Sequence, residues 1–497
     1  MKLGTIGANL GWLLIFLSFT LIFPLGISLY YNDGNWACFI EAAFTGLAIG
    51  GFLAYACVPE KDIGHREGFA IVGLGWVLAA FLGALPYYFS SAIPSFVDAY
   101  FESMSGFTTT GSTILDQVEP LGHGLLFWRA LTHWLGGMGI IVLTLAILPI
   151  LGIGGMQLFQ AEMPGPTKDR LAPRIQDTAR ILWGVYLLFT LAEILLLMLA
   201  GMDLFNAVCH AFATLATGGF STITASVGGF NSAWIDYIIV LFMILAGMNF
   251  TLHYRLLTGR GRDLVASSEL KFYLTVGFGG SLLITFINLY HRTYDSFSES
   301  FRYSLFQAWS ILTTTGFGTA DFDKWAPACQ FILVVFMFLG GMAGSTGGGI
   351  KNVRILLFLK FTKVHIKKLI HPRAVETLKI DGKKVPADVM QSILAYLSLY
   401  FAFLITAIFI VTAQGVDIVT GSTAVIATLN NIGPGLADVG PVKNFAHLPS
   451  LSKWVLILCM VAGRLELYTI AVLLVPDYWK GSRFPKWRWK KKNAIER

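Results

Sequence analysis

Four short stretches of this chain carry the groups that could replace the water around a metal cation. They are Thr108-Thr109-Thr110-Gly111-Ser112, Leu215-Ala216-Thr217-Gly218-Gly219-Phe220, Thr313-Thr314-Thr315-Gly316-Phe317-Gly318 and Asn430-Asn431-Ile432-Gly433-Pro434-Gly435. They recur roughly every 100 residues, the period of a supersecondary unit. A dehydrated monovalent cation must recover its lost oxygen contacts, and four extended backbone segments around one axis would supply successive rings of carbonyl oxygens. Gly111, Gly218, Gly316 and Gly433 are expected where the backbone takes a conformation that side chains resist. The preceding Thr110, Thr217, Thr315 and Ile432 would keep each strand extended. A single Thr-Gly pair reads as a tight turn; four in phase, each behind a short helix, read as an ion-binding filter.

The elements that must position these stretches follow from the hydropathy. Ten spanning helices are expected, at about 7–30, 36–58, 69–90, 125–150, 181–201, 233–257, 270–290, 327–360, 388–413 and 451–475. Four shorter ones, at about 96–109, 204–216, 297–314 and 417–430, are too short to cross a bilayer core of ~30 Å at a rise of ~1.5 Å per residue. Such a segment enters and turns back, and its non-helical return is tolerated only where it is buried or lines a wet cavity. Asp98, Asp203 and Asp417 stand near three of the starts, and Ser296 with Glu299 at the fourth. These residues suit caps, and the negative helix ends would then face the centre, a favourable field for a cation. The second helices echo one another in Leu135-Gly136-Gly137-Met138, Leu245-Ala246-Gly247-Met248, Leu339-Gly340-Gly341-Met342 and Val461-Ala462-Gly463-Arg464. The expected architecture is an all-α integral membrane protein. Two N-terminal helices (1–67) precede four pseudo-symmetric units of helix, pore helix, filter and helix (68–178, 179–268, 269–386 and 387–497), the last ending in a basic tail.

Composition supports that class. Hydrophobic residues form 55% of the chain and charged residues 13%, with a mean hydropathy of +0.66, against about 25% charge in soluble domains. A β-barrel would need strictly alternating strands of ~10 residues, which this sequence lacks. The five cysteines, Cys38, Cys57, Cys209, Cys329 and Cys459, have no Cys-x-x-Cys spacing and read as small packing residues. The net charge of +7 does not point to nucleic acid. With the N-terminus inside, most Lys and Arg fall on one side, as the positive-inside rule expects. The clusters at Lys351–Lys384 and Lys480–Arg497 suit anionic lipid, or a cytosolic protein docked there. The apolar run after Met1-Lys2 lacks a convincing cleavage site and reads as a retained helix. Trp487 and Trp489 resemble an interfacial anchor, and His133 and His210 read as packing histidines.

Two further features suggest control. Gly344-Ser345-Thr346-Gly347-Gly348-Gly349 interrupts an apolar helix, and glycine disfavours a helix interior by about 1 kcal/mol. Lys351 follows, but the Gly-Lys-Ser/Thr end of a phosphate loop and its leading strand are missing, so nucleotide binding is not expected. A loop that obstructs the pore from beneath and moves on opening fits better than plain packing. Arg464, inside the last helix, is either half of a structural ion pair with Glu466 or a fork of donors that holds loop carbonyls and repels cations.

The four filters, the Gly344–Gly349 insertion and the run Ala462-Gly463-Arg464-Leu465-Glu466 resemble the bacterial Trk/Ktr/HKT potassium transporters over nearly the whole chain. The leading helix pair and the length resemble the TrkH/TrkG branch. The resemblance implies potassium uptake across the bacterial inner membrane by a homodimer with one pore per subunit and cytoplasmic termini. It also implies control by a cytosolic TrkA-like ring that binds nucleotides. Potassium in the pore is the implied ligand, with no covalently bound cofactor and no enzymatic activity. The family's filter glycines map to Gly111, Gly218, Gly316 and Gly433, its intramembrane loop to Gly344–Gly349, and its gating arginine to Arg464. Gly111 stands where a serine accompanies sodium transport in plant relatives. The fourth filter departs most, because Pro434 lacks an N–H. Three mechanisms are compatible with these residues: a gated pore driven by membrane potential, a proton symporter using Glu41, Glu193 or Glu466, and the potassium-binding subunit of an ATP-driven pump.

Overall fold

In a computed structural model, residues 1–59, 64–139, 175–373 and 377–480 are described. The second half of the expected helix at 125–150, residues 151–178 save the helix from Ile175, and the tail with Trp487 and Trp489 therefore lie wholly or partly outside the described residues.

Among the described residues, six helices are long and apolar enough to cross a membrane: Leu3–Tyr31, Trp36–Ala56, Arg66–Phe89, Ala179–Leu199, Ser268–Tyr290 and Ala387–Thr412. Two bent pairs raise the number to eight. Large apolar side chains on these helices point outward, among them Leu199 (76% exposed) and Phe409 (70%), whereas Thr108, Thr110, Thr313, Thr314 and Thr315 are fully buried. Apolar outside and polar inside is the arrangement lipid favours, since hydrocarbon cannot satisfy polar groups.

The four short helices are Phe96–Phe107, Leu204–Leu215, Phe297–Leu312 and Ile418–Leu429. Asp203 and Asp417 cap their helices directly, accepting from Asn206 N and from Val419 N and Thr420 N. Ser296 caps the third by accepting from Glu299 N. In the first, the cap is Ser95, and Asp98 lies in the first turn as the donor's residue.

Each short helix packs on the spanning helix before it and on the helix after it. Across units the contacts run in one direction. The helix after segment one (His123–Gly137) packs on the second short helix, and Ala233–Ala246 on the third. Pro327–Leu339 packs on the fourth, and Ser450–Arg464 on the first. The order 1-2-3-4-1 closes a ring. The two leading helices pack against each other and on His65–Phe89 of the first unit.

The structure corrects the expected long second helices. Ala233–Ala246 stops and Phe250–Leu257 leaves at 99°; Ser450–Arg464 stops and Leu467–Leu474 leaves at 120°. In the third unit, where the glycine run was expected to interrupt the helix, Pro327–Leu339 ends at Gly340 and a helix resumes only at Asn352–Ile370. His123–Gly137 ends at Met138. The breaks fall at or just beyond the echoed glycine motifs. Close packing accounts for several of those glycines: a Cβ at Gly136 would collide with Phe107 O, and one at Gly463 with Leu429 O. Both carbonyls end short helices, so the motifs mark where the unit's own short helix terminates against its neighbour. A two-stranded ribbon, Lys379–Ile380 with Lys383–Lys384, adds a small β element to the otherwise helical chain.

Candidate functional site

Each short helix ends and the chain then repeats one backbone pattern. The second residue past the helix has positive φ: Thr109 (52°), Thr217 (55°), Thr314 (62°) and Asn431 (53°). Two residues on, φ is positive again, at Gly111 (79°), Gly219 (82°), Gly316 (80°) and Gly433 (105°). Alternation of this kind turns successive carbonyls to the same side. It also shifts the register of the second segment. Thr217 matches Thr109 rather than Thr110, Gly218 takes the place of Thr110, and Gly219 is the counterpart of Gly111. Gly218 has no positive φ; it lacks a side chain because a Cβ there would strike the ring of His133.

The segments meet in cyclic order. A Cβ on Gly111 would meet Gly218 O, one on Gly219 would meet Thr315 O, one on Gly316 would meet Ile432 O, and one on Gly433 would lie 3.0 Å from Thr110 O. The carbonyls of Thr110, Gly218, Thr315 and Ile432 therefore each neighbour the glycine of an adjacent unit. Four backbone strands surround one axis, and the carbonyl-rich ring needs no side-chain ligand to offer oxygen to a cation.

Buried side chains hold the ring from behind. Thr108 and Thr110 hydroxyls lie 2.7 Å apart, and those of Thr313 and Thr315 2.8 Å apart. Ser112 Oγ donates to Gly433 O (3.0 Å), and Asn431 Nδ2 donates to Thr110 Oγ1 (3.0 Å) and Met460 O (2.9 Å), tying unit four to unit one. Phe220 N donates to His133 Nε2 (3.2 Å), so Nδ1 carries the proton and donates to Gly106 O at 2.7 Å. His210 spans Asn206 O and Ser221 Oγ. Both histidines are satisfied packing groups that brace the second segment.

Residues 340–351 form a loop across the side where the short helices end. Thr346 Oγ1 donates to Leu215 O (3.0 Å), Gly348 N to Thr314 Oγ1 (2.8 Å), and Met342 N to Gly247 O (2.9 Å). Gly348 lies against Asn430 O and Asn431, and Gly347 beside Thr313 O. Ala343 N donates to the buried Glu269 carboxylate (2.8 Å), and Asn352 Nδ2 to Gly340 O (2.5 Å). Gly344 O accepts from Phe250 N, whereas Ser345 Oγ turns back to Met342 O. Gly344 (φ 74°) and Gly349 (φ 78°) allow the two turns. Lys351 Nζ folds back onto Gly347 O.

Arg464 joins this loop to the first unit. Its Nη1 donates to Thr346 O (2.6 Å) and Thr109 Oγ1 (3.2 Å), and its Nη2 to Gly136 O (2.5 Å) and Gly137 O (2.7 Å). Of the two sequence alternatives, the structure shows the fork, which bonds one loop carbonyl, Thr346 O, together with the helix-end carbonyls of Gly136 and Gly137. Glu466 pairs instead with Arg354 at 2.5 Å, the guanidinium lying 4.2 Å from the Tyr396 ring. Glu193 is buried and Glu41 exposed, on separate helices. Several residues in these networks escaped the sequence reading: Glu269, Asn352 and Arg354. A signal existed, since each is a charged or amide group within or beside an apolar run.

Residues 37–480 match the TrkH family, described as a cation transport protein. The chain is 43% identical over 474 residues to the Trk system potassium uptake protein TrkH of Escherichia coli (strain K12), covering 95% of this chain and 98% of that one. It is 40% identical to TrkH of Vibrio parahaemolyticus over 97% of this chain and 100% of the relative. It is also 36% identical to TrkG of Escherichia coli over 95% and 97%. The crystal structure of the potassium transporter TrkH from Vibrio parahaemolyticus superposes with a TM-score of 0.87 at 38% identity, over 97% of this chain and 100% of that one. The chain belongs to the TrkH family of cation transport proteins.

Proposed function

We propose that this membrane protein takes up potassium through a gated pore driven by the membrane potential. The observation that carries the reading is the closed cycle of carbonyls from Thr110, Gly218, Thr315 and Ile432 against the glycines of the neighbouring units. Oxygen rings of this kind replace an ion's hydration shell. The filter comprises Thr110-Gly111, Thr217-Gly218-Gly219, Thr315-Gly316 and Ile432-Gly433. The four units at 68–178, 179–268, 269–386 and 387–497 contribute one segment each, behind the leading pair at 1–67. The potential supplies ~2.3 kcal/mol per charge per 100 mV, enough to concentrate a monovalent cation without a second driving force.

The loop Gly344–Gly349 and Arg464 form the gate. The loop obstructs the exit beneath the filter, Lys351 stabilises its fold, and Arg464 adds a positive charge that repels cations until the loop moves. The protein acts without covalent cofactor or enzymatic chemistry, in the bacterial inner membrane, with both termini cytoplasmic. Two copies associate, each with its own pore, and a cytosolic nucleotide-binding ring sets the gate through the basic stretch that follows the loop, where Lys363, Lys367, Lys368, Lys383 and Lys384 are exposed. The closeness of the named relatives over almost the whole chain supports this reading.

Rubidium and sodium flux into liposomes holding the purified protein, with potential and pH gradient varied separately, tests it. Rubidium entry should follow the potential and ignore the pH gradient; entry that follows the pH gradient would establish symport instead. Arg464→Ala and deletion of Ala343–Gly349 should each raise rubidium flux severalfold. Unchanged flux from folded protein would remove the gating role.

A further inference from the structure

One position on three of the four short helices bonds to the strand that leaves the filter. Counting five residues back from the last helical residue gives Glu102, His210, Gln307 and Ala424. His210 reaches Ser221 Oγ (3.0 Å), and the Gln307 carboxamide bonds to Thr319 and Ala320. In the fourth unit, Thr423 substitutes by exchanging bonds with Leu436. Only the first unit places a charge at this position. Glu102 is fully buried and accepts from Thr113 Oγ1 and Ile114 N, each at 3.0 Å. Its partner Arg129, 2.9 Å away and also buried, donates through Nη1 to Ser221 O at 3.0 Å. The guanidinium lies 4.0 Å from the Phe220 ring, which stacks on His133. Thr113 and Ser221 each lie two residues beyond the positive-φ glycine, Gly111 and Gly219, so one ion pair spans equivalent points on two neighbouring strands.

We infer that Glu102 and Arg129 are specificity-determining positioning residues: a rigid strut that fixes the spacing of the first and second filter segments and so the discrimination of potassium from smaller cations. The inference rests on the proposed potassium pore. A planar fork held on one side by a carboxylate and on the other by a backbone carbonyl fixes both distance and angle, which a lysine ammonium cannot do. Neither side chain contacts the ion; both act through the strands.

The test is the ratio of rubidium to sodium flux in liposomes for Glu102→Gln, Arg129→Lys and, as a control, Asp236→Asn, which breaks the pair with Arg302 away from the filter strands. Glu102→Gln and Arg129→Lys should each lower the ratio by about tenfold, equivalent to ~1.4 kcal/mol, while Asp236→Asn leaves it unchanged. A purely electrostatic role would spare Arg129→Lys, which keeps the charge, and would scale both fluxes together in Glu102→Gln; either result overturns the strut. An equal fall in Asp236→Asn would also overturn it, because general loosening would then suffice. If Glu102→Gln fails to fold, Arg129→Lys alone decides. Absence of any alkali-cation flux in the unmodified protein would instead refute the pore on which the strut depends.

Discussion

At the level of single residues, the most informative correction is the register of the second segment. In Thr217-Gly218-Gly219 the letters alone do not say which glycine repeats Gly111. Backbone geometry does, with Gly219 at φ 82°. The ambiguity arose because two different demands select glycine here: torsion at Gly219, and room for the His133 ring at Gly218. His133 was legible only as a buried histidine, since its two partners, Gly106 and Phe220, lie on different units. Replacing it with leucine strands Phe220 N without an acceptor, which costs about 1–3 kcal/mol for a buried donor. His133→Leu should therefore lower the thermal midpoint in detergent, and an unchanged midpoint would show that water or a shifted strand replaces the bond. The buried Glu102–Arg129 pair was missed for a similar reason: neither residue has meaning until the fold brings them together.

At the level of elements, the short helices and their caps were readable, since helices of 12 to 16 residues between an Asp or Ser and a Thr-Gly or Asn-Ile-Gly turn cannot span a bilayer. Of the breaks in the second helices, only the one around Gly344–Gly349 was. Averaged over a span-length window, hydropathy stays high through both bent pairs, and a hydropathy pattern records burial rather than direction. The echoed glycines gave the place of each break without its consequence, which is to free carbonyls of Ala246, Gly247, Gly136 and Gly137 for the loop and Arg464. The loop's fit is tight at Gly348, where a methyl group would collide with Asn430 O and crowd Asn431. Gly348→Ala should push the loop away from the filter and raise rubidium flux severalfold in folded protein; a decrease would mean that the loop supports the open pore rather than blocking it.

Across the whole molecule, cyclic packing makes four dissimilar units into one ring, and the outer loops reinforce it. Glu119 of the first unit accepts from Thr224 Oγ1 and Thr224 N of the second. The Thr224 hydroxyl and then its amide hold the Glu119 carboxyl below the usual glutamate range. A depressed pKa in the folded state means that this link contributes fully above the ordinary glutamate pKa and fades as pH falls through the lowered value. Thr224→Ala should move the Glu119 titration back up, as followed by carboxyl NMR; no movement would place the cause elsewhere. The net architecture was largely visible in the sequence because four copies of one pattern repeat, whereas the closure of the ring depends on long-range contacts such as Gly219 with Thr315 and Gly433 with Thr110. The loop 340–351 beneath that ring is fastened to every side of it: to Leu215, to Thr314, to the surroundings of Asn430, and through Arg464 to Thr109. Undoing one attachment leaves the others in place, so under the proposed gate a partial withdrawal would gain no passage. Electrical recordings should therefore show each pore stepping between silence and one full current, with no intermediate level within a pore.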